Sequence, residues 1–401
     1  MHVPDGIVPL WLQILLLAVS MVTIAVSLRV VSNRFEDRIV PYMGVLAAVI
    51  FAAQLINFPV PPFSSGHLVG STLLAVMVGP WAAALIMALV LFVQALYGDG
   101  GIITFGLNFF NMGVFSVFLG YGLALMFFRA TSRVSNKKTS TLISTAISAF
   151  ITTVSAAFVL GLELLTVPGF GTPALLAITS VHIFIGFGEA ILTSVILLYF
   201  VKAKPELISF FREGEVTQDS DPMASEARKE IPLRPLLATI AITMILAALA
   251  IFSGFASSNP DGFEWALFDF AGVLEPENAF AGIWSRFGEG PVIDVVTGSI
   301  GIVLVLSLGL LLFRRKSHDS HHHGPETGKF LLPFAEGKTS PAPFSPAGIL
   351  VAAIALAFLI TIQTNILIVS ILILLILGTG FMSGTNWRRA ISMAAKFELI
   401  I

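Results

Sequence analysis

Met1-His2-Val3-Pro4-Asp5-Gly6, running into the apolar stretch Ile7–Leu28, decides how this chain is read. No positive charge precedes the apolar run, so the opening does not have the form of a cleaved secretory signal. A bulky second residue predicts that Met1 is retained and that its amine is the mature N-terminus. A free amine followed directly by histidine is a chelate. The Met1 amine, the His2 amide nitrogen and the His2 imidazole can all reach one metal ion. Once the amide loses its proton, three nitrogens lie in one plane, with a fourth position open to another imidazole. Planar nitrogen ligation suits Ni(II) or Cu(II) better than Mg, Ca or tetrahedral Zn. Pro4-Asp5-Gly6 reads as a tight turn, with proline fixing φ and glycine free to take positive φ. Such a turn would fold the tail back over the protein. The competing reading is a frayed terminus, the common fate of chain ends.

The composition sets the class. The chain is 56% hydrophobic and 11% charged, with a mean hydropathy of +0.93. Soluble domains carry roughly 25% charged residues, so this is a polytopic membrane protein, expected to be all-α. Cysteine is absent, which excludes disulfides and thiolate metal sites. A net charge of −2 gives no reason to expect a nucleic-acid partner.

Segments long enough to span a bilayer are Pro9–Val31, Val40–Phe58, Leu107–Phe128, Leu142–Leu165, Ala174–Val201, Pro235–Phe255 and Val292–Phe313. Gly66–Tyr97 is too long for one upright helix. Gly79-Pro80 should break it into Leu68–Val78 and Trp81–Tyr97, because proline cannot continue a helix. Ala347–Phe381, interrupted at Thr364-Asn365, reads as a hairpin of two short spans. With the N-terminus outside and the pair split, all of the 22 Lys and Arg except Arg286 fall in cytoplasmic segments. That bias is what the positive-inside rule requires; merging the pair would invert everything after it. The expected layout is a seven-helix bundle over 1–201, a cytoplasmic linker 202–231, a two-helix unit 232–316, a second linker 317–345 and a membrane hairpin 346–401.

Some polar residues stand out against this background. His67, in Ser64-Ser65-Gly66-His67-Leu68, is a functional candidate because ionisable groups at membrane level are costly. The topology puts it on the same side as Met1. Asn108 and Asn111 share a helix face at i, i+3 and could hold the folded-back tail or simply pack helices. His182 and Glu189, at i, i+7, form either a layer around the metal or an interhelical polar pair. The run His321-His322-His323 reads as a solvated loop that could bind metal loosely. The external stretch after the sixth long span repeats Pro-Asp-Gly at Pro260-Asp261-Gly262. No phosphate-binding Gly-rich loop, nucleophile elbow or HExxH zinc motif occurs. Transport by this chain would therefore need separate ATPases, an ion gradient or passive flow.

MHVPDG, SGHLVG, GLNFFNMG and HIFIGFGEA together resemble the substrate-specificity component of nickel and cobalt energy-coupling-factor transporters, the CbiM/NikM family. The resemblance spans about residues 1–201. It implies that nitrogen atoms of Met1 and His2 and the imidazole of His67 hold the metal. Asp5, Asn108, Asn111 and His182 would stand around them. The Pro4-Asp5 pair is similar to the nickel branch of the family; the cobalt branch more often has Met-Glu there. Residues 232–316 are similar to the small two-helix N component, whose external motif here is Pro260-Asp261-Gly262 with Glu264. Residues 341–401 faintly resemble the start of the coupling transmembrane (T) component. The resemblance implies metal as cargo with no resident cofactor, a plasma-membrane location, and ATP hydrolysis on partner subunits joined by a T subunit. Cobalt uptake, a metal sensor without transport and an intramembrane metalloenzyme are the other readings. The last lacks an open metal position and a general base.

Overall fold

The computed structural model describes residues 1–34, 39–60, 63–203, 205–212, 259–276 and 290–312, with isolated positions between 241 and 257 and between 280 and 283. The linker 317–345, its histidines, and the hairpin 346–401 lie outside the described residues. So does most of the expected span 235–255. Residues 1–314 form one compact unit.

The chain is mainly helical. Helix α1 (Leu10–Arg34) and α2 (Ile39–Gln54) are followed by two short strands, β1 (Phe58–Val60) and β2 (Ser64–Gly66). The strands pair antiparallel, with Pro59 opposite Ser65. This short hairpin interrupts the helical run and ends α2 before Phe58. Pro59, Pro61 and Pro62 supply the reason, since none can donate the backbone bond that would continue a helix.

The expected break at Gly79-Pro80 is present. Helix α3 (Ser71–Val78) stops at Gly79, whose φ of 83° favours glycine, and α4 (Pro80–Tyr97) begins with proline at its first turn. Every residue of α3 is buried, and so is most of α4. These two helices are the centre of the bundle.

Helix α5 (Phe105–Phe109) runs through a π-helical turn, Phe110–Phe115, into α6 (Ser116–Thr131). Helix α7 (Lys137–Leu164) starts at Asn136, whose side chain accepts from the Thr139 amide at 2.9 Å, an N-cap. Ser144, Thr145, Ser148 and Thr152 lie buried along α7; across from Thr152, Gly120 of α6 admits a close approach. Helix α8 (Thr172–Ala203) packs on α7. The start of the segment read as a linker is packed too. Its short helix α9 (Ser209–Arg212) sends Ser209 Oγ to the Val76 carbonyl at 2.9 Å.

Helix α10 (Gly262–Glu264) and a π turn, Trp265–Phe270, precede α11 (Pro291–Leu312). Helix α11 packs against α2 and α4. A Cβ on Gly298 would stand 2.8 Å from Leu55, and one on Gly309 2.9 Å from Gly44. Small residues therefore let these backbones approach, as in membrane helix pairs. Among the described residues, six helices are long and apolar enough to cross a bilayer, the first Leu10–Ser32 and the last Val292–Leu311, and α2 adds a shorter apolar helix.

Candidate metal centre

The first six residues are folded inward, as the turn predicts. Met1 and Val3 are buried, as are His2 and Asp5, so the frayed-terminus reading fails. Gly6 has φ 89°, the positive value its turn demands. The tail is fastened through its backbone. The Val3 amide donates to Asn108 Oδ1 at 2.9 Å, and Asn108 Nδ2 donates back to the Val3 carbonyl at 3.0 Å. Thr104 Oγ1 and the Gly101 amide also donate to that carbonyl, at 2.7 and 2.9 Å. Asp5 accepts from the amides of Ile102 and Thr104, at 3.1 and 2.9 Å. Asn108 and Asp5 thus hold the tail.

Asn111 does not share this work. Its Nδ2 donates to Glu163 Oε2 at 2.7 Å and to the Leu107 carbonyl at 3.2 Å. Positions three apart stand about 60° from each other around a helix of 3.6 residues per turn, and that rotation turns Asn111 toward Glu163 of α7 while Asn108 faces the tail.

The donor nitrogens converge. The His2 and His67 rings meet edge-on, with centroids 5.2 Å apart and planes at 84°. With metal–imidazole bonds of about 2.0–2.1 Å, two rings on one ion have centroids roughly 4.5 Å apart at a right angle and roughly 6 Å apart when opposed. The observed separation lies between these limits. His67 Nδ1 faces the Leu68 carbonyl at 3.1 Å. That acceptor places the proton on Nδ1 and leaves Nε2 with its lone pair. The Met1 ammonium donates to Asp261 Oδ2 at 2.7 Å. His2 Nδ1 faces Asp99 Oδ1 at 2.8 Å, while its Nε2 is buried with no hydrogen-bond partner among the described residues. Among those residues, no cluster of three or more His, Cys, Asp or Glu side chains is placed to hold a metal. A metal bound here would draw on the tail's own backbone nitrogen.

The electrostatics follow from this packing. Burial pushes the His67 imidazole down to about 4, helped by the neighbouring terminal ammonium and by His2. Burial alone would raise Asp261. The Met1 ammonium, then His67, override that and hold its carboxyl well below the ordinary range.

Asp99 is absent from the residues singled out by sequence, and Asp261 entered there only through the external Pro-Asp-Gly motif, with no role at the metal. Here it caps α10: its Oδ1 accepts from the amides of Phe263 and Glu264, each at 2.8 Å, and Glu264 returns a bond to its amide. The loop is seated on the β hairpin, with the Ser65 amide donating to the Pro260 carbonyl at 2.9 Å. His182 stands at its edge. Its Nδ1 bonds the Ile178 carbonyl one turn back at 2.8 Å, and Gly262 lies so close that a Cβ there would be 2.9 Å from the ring. His182, His67, Met1 and Asp261 all line one cavity of about 10 Å³, room for roughly one water-sized sphere.

A family model described as the cobalt uptake substrate-specific transmembrane region, CbiM, matches residues 2–207, just over half of the chain. The chain is 28% identical over 320 residues to the "Putative fused nickel transport protein NikMN" of Archaeoglobus fulgidus, covering 78% of this chain and 98% of that protein. It is 26% identical over 348 residues to the fused nickel transport protein NikMN of Rhodobacter capsulatus, covering 78% and 94%. To the cobalt transport protein CbiM of Sorangium cellulosum it is 27% identical over 215 residues, covering 52% and 94%.

Proposed function

The chain belongs to the CbiM family, and on that premise we propose that it captures Ni(II) for uptake across the cell membrane. Met1, His2 and His67 are the ligands. The observation that carries this reading is the buried tail, which brings the Met1 amine and the His2 imidazole against the half-buried imidazole of His67. Relatives named for nickel and for cobalt transport support metal as the cargo.

Carboxylates stand against the donors: Asp261 against the amine and Asp99 against His2. Metal capture exchanges protons for the ion. The amine gives up a proton and leaves Asp261. A chelate ring through the His2 amide nitrogen closes with six members only through Nδ1. His2 must therefore turn that nitrogen away from Asp99 when the planar complex forms. His67 Nε2 supplies the fourth nitrogen. Such a set favours Ni(II) over Co(II) because nickel more readily drives an amide proton off. The alternative cargo is Co(II), bound through His2 Nε2 with the amide intact.

The N-terminus faces outside, and the chain works as the substrate-binding member of an energy-coupling-factor transporter. A separate T subunit and cytoplasmic ATPases supply the power. Residues 1–201 are the metal-binding domain and 232–316 the N-type unit, joined by the linker 202–231. Residues 346–401 are related to the start of a T component. Purification from cells given equal nickel and cobalt, followed by metal analysis, tests the cargo. Nickel bound one per chain is expected; cobalt in excess of nickel overturns the choice, and neither metal overturns the site.

A further inference from the structure

We propose that Glu189 is a positioning residue for His67, acting through the peptide unit that links Leu68 to Val69. This rests on the reading of His67 as a metal ligand. Glu189 lies in the middle of α8 and is 2% exposed. A lone buried carboxylate is costly unless its oxygens are bonded. Both are. The Val69 amide donates to Oε2 at 2.6 Å, and the Gly70 amide to Oε1 at 2.8 Å.

Those amides sit at the start of α3, where Gly70 is the N-cap and offers no side chain to satisfy the first turn. A carboxylate from another helix takes that place, where the helix dipole favours negative charge.

The route to His67 is short. The Val69 N–H and the Leu68 C=O belong to one peptide, and they point to opposite sides because the peptide is trans. Glu189 holds the first. The second accepts from His67 Nδ1 at 3.1 Å. The next peptide is held in the same way: Gly70 N–H by Glu189, and Val69 C=O by Gln54 Nε2 at 2.8 Å. Gln94 Nε2 in turn fixes Gln54 Oε1 at 2.8 Å. Both peptides are thus held on their N–H side by α8, and the second is also held on its carbonyl side by α2 with α4. The pinned Leu68 carbonyl keeps the His67 proton on Nδ1 and aims Nε2 at the metal. Partners of this kind on metal-binding histidines typically change affinity 10–100-fold.

The test uses the full-length protein in detergent, titrated with Ni(II) alone. Glu189→Gln is nearly isosteric but offers one acceptor oxygen to two N–H donors and sets an NH₂ against the other. Ni(II) binding should weaken 10–100-fold while thermal unfolding stays cooperative. In nitrogen-15 NMR of the metal-free protein, the His67 ring should shift from the Nδ1–H form to a mixture of tautomers. A purely structural role would not move that signal. Should Glu189→Gln fail to fold, Gln54→Met, which releases the Val69 carbonyl and the Gln94 amide, must show the same weakening and tautomer change. The double variant with His67→Ala should bind no more weakly than His67→Ala alone. Wild-type affinity and tautomer in both positioning variants would overturn the proposal, as would full additivity with His67→Ala. If His67→Ala itself binds like wild type, the ligand reading fails instead.

Discussion

Proton release on metal binding tests the chelate most directly. The amine is held as an ammonium 2.7 Å from Asp261, and an ammonium has no lone pair to give. Coordination therefore takes one proton from it. Ligation through the His2 amide takes a second. His67 gives none near neutrality, because burial holds its imidazole to about 4. Its lowered value favours the neutral, binding-ready form, and protons compete for it only as pH falls toward 4. The free-histidine value of about 6.5 would have put that competition near neutrality. Each released proton makes affinity fall tenfold per pH unit, about 1.4 kcal/mol. With two protons the fall from pH 7 to pH 6 is roughly a hundredfold, about 2.8 kcal/mol. Calorimetric titration of Ni(II) in buffers of different ionisation heat counts the protons, and visible absorption reports the geometry. A planar low-spin complex is diamagnetic and yellow to orange. One proton with a six-coordinate paramagnetic spectrum would mean that the amide keeps its hydrogen, and the case for nickel over cobalt would fall. Affinity flat between pH 6 and 8 would remove the amine from the site altogether.

Other substitutions probe the remaining parts. One uncleaved residue added before Met1 replaces the amine with an amide and should abolish Ni(II) binding in a protein that still folds; normal binding by the extended chain would refute the site. His67→Ala should weaken binding more than tenfold, over ~1.4 kcal/mol, whereas His321→Ala, His322→Ala or His323→Ala should leave equilibrium dialysis with nickel unchanged. Asp5→Ala strands the Ile102 and Thr104 amides at about 1–3 kcal/mol each, so metal affinity should drop at least tenfold and protease should reach the N-terminus sooner. Gly262→Ala would drive a methyl to within 2.9 Å of His182 and 2.8 Å of Ile185; it should lift the Asp261 loop, seen as lost crosslinking between cysteines placed at Ser65 and Asn259.

Much of this was legible because its causes are local. Gly79-Pro80 breaks a helix wherever it stands, and Pro4-Asp5-Gly6 turns a chain back on itself. Asn108, beside an apolar stretch, had to bond something, and the tail was the nearest claimant. What stayed hidden depends on distance along the chain or on rotation about a helix. Asp261 meets the amine across 260 positions, and Glu189 meets Val69 across 120. A single acid in an apolar helix announces a partner without naming it. His182 and Glu189, one face apart by simple periodicity, serve different neighbours: one a carbonyl of its own helix, the other the start of α3. Asn108 and Asn111, at i, i+3, also part company, one holding the tail and the other bonding Glu163 of α7, because spacing alone does not say which neighbour each amide meets.

The contacts of the tail divide into two classes with different consequences. Val3 and Asp5 bond partners that no metal would disturb: Asn108, Thr104 and the amides of Gly101 and Ile102. Met1 and His2 instead bond carboxylates, through the nitrogens a metal would need. The first class fixes the tail whether or not an ion is present, so the ordering entropy of the tail is met on folding, not on binding. The second class sets the competition between protons and metal. One of its two carboxylates, Asp261, comes from the loop that precedes α10, where its other oxygen caps that helix. Shortening that side chain with Asp261→Ala should therefore act on the exchange and not on docking. The amides of Val3, Ile102 and Thr104 should keep their protection in hydrogen exchange while nickel affinity and its pH dependence change. If those amides lose protection together, the two classes are one, and the loop holds the tail as well as the proton.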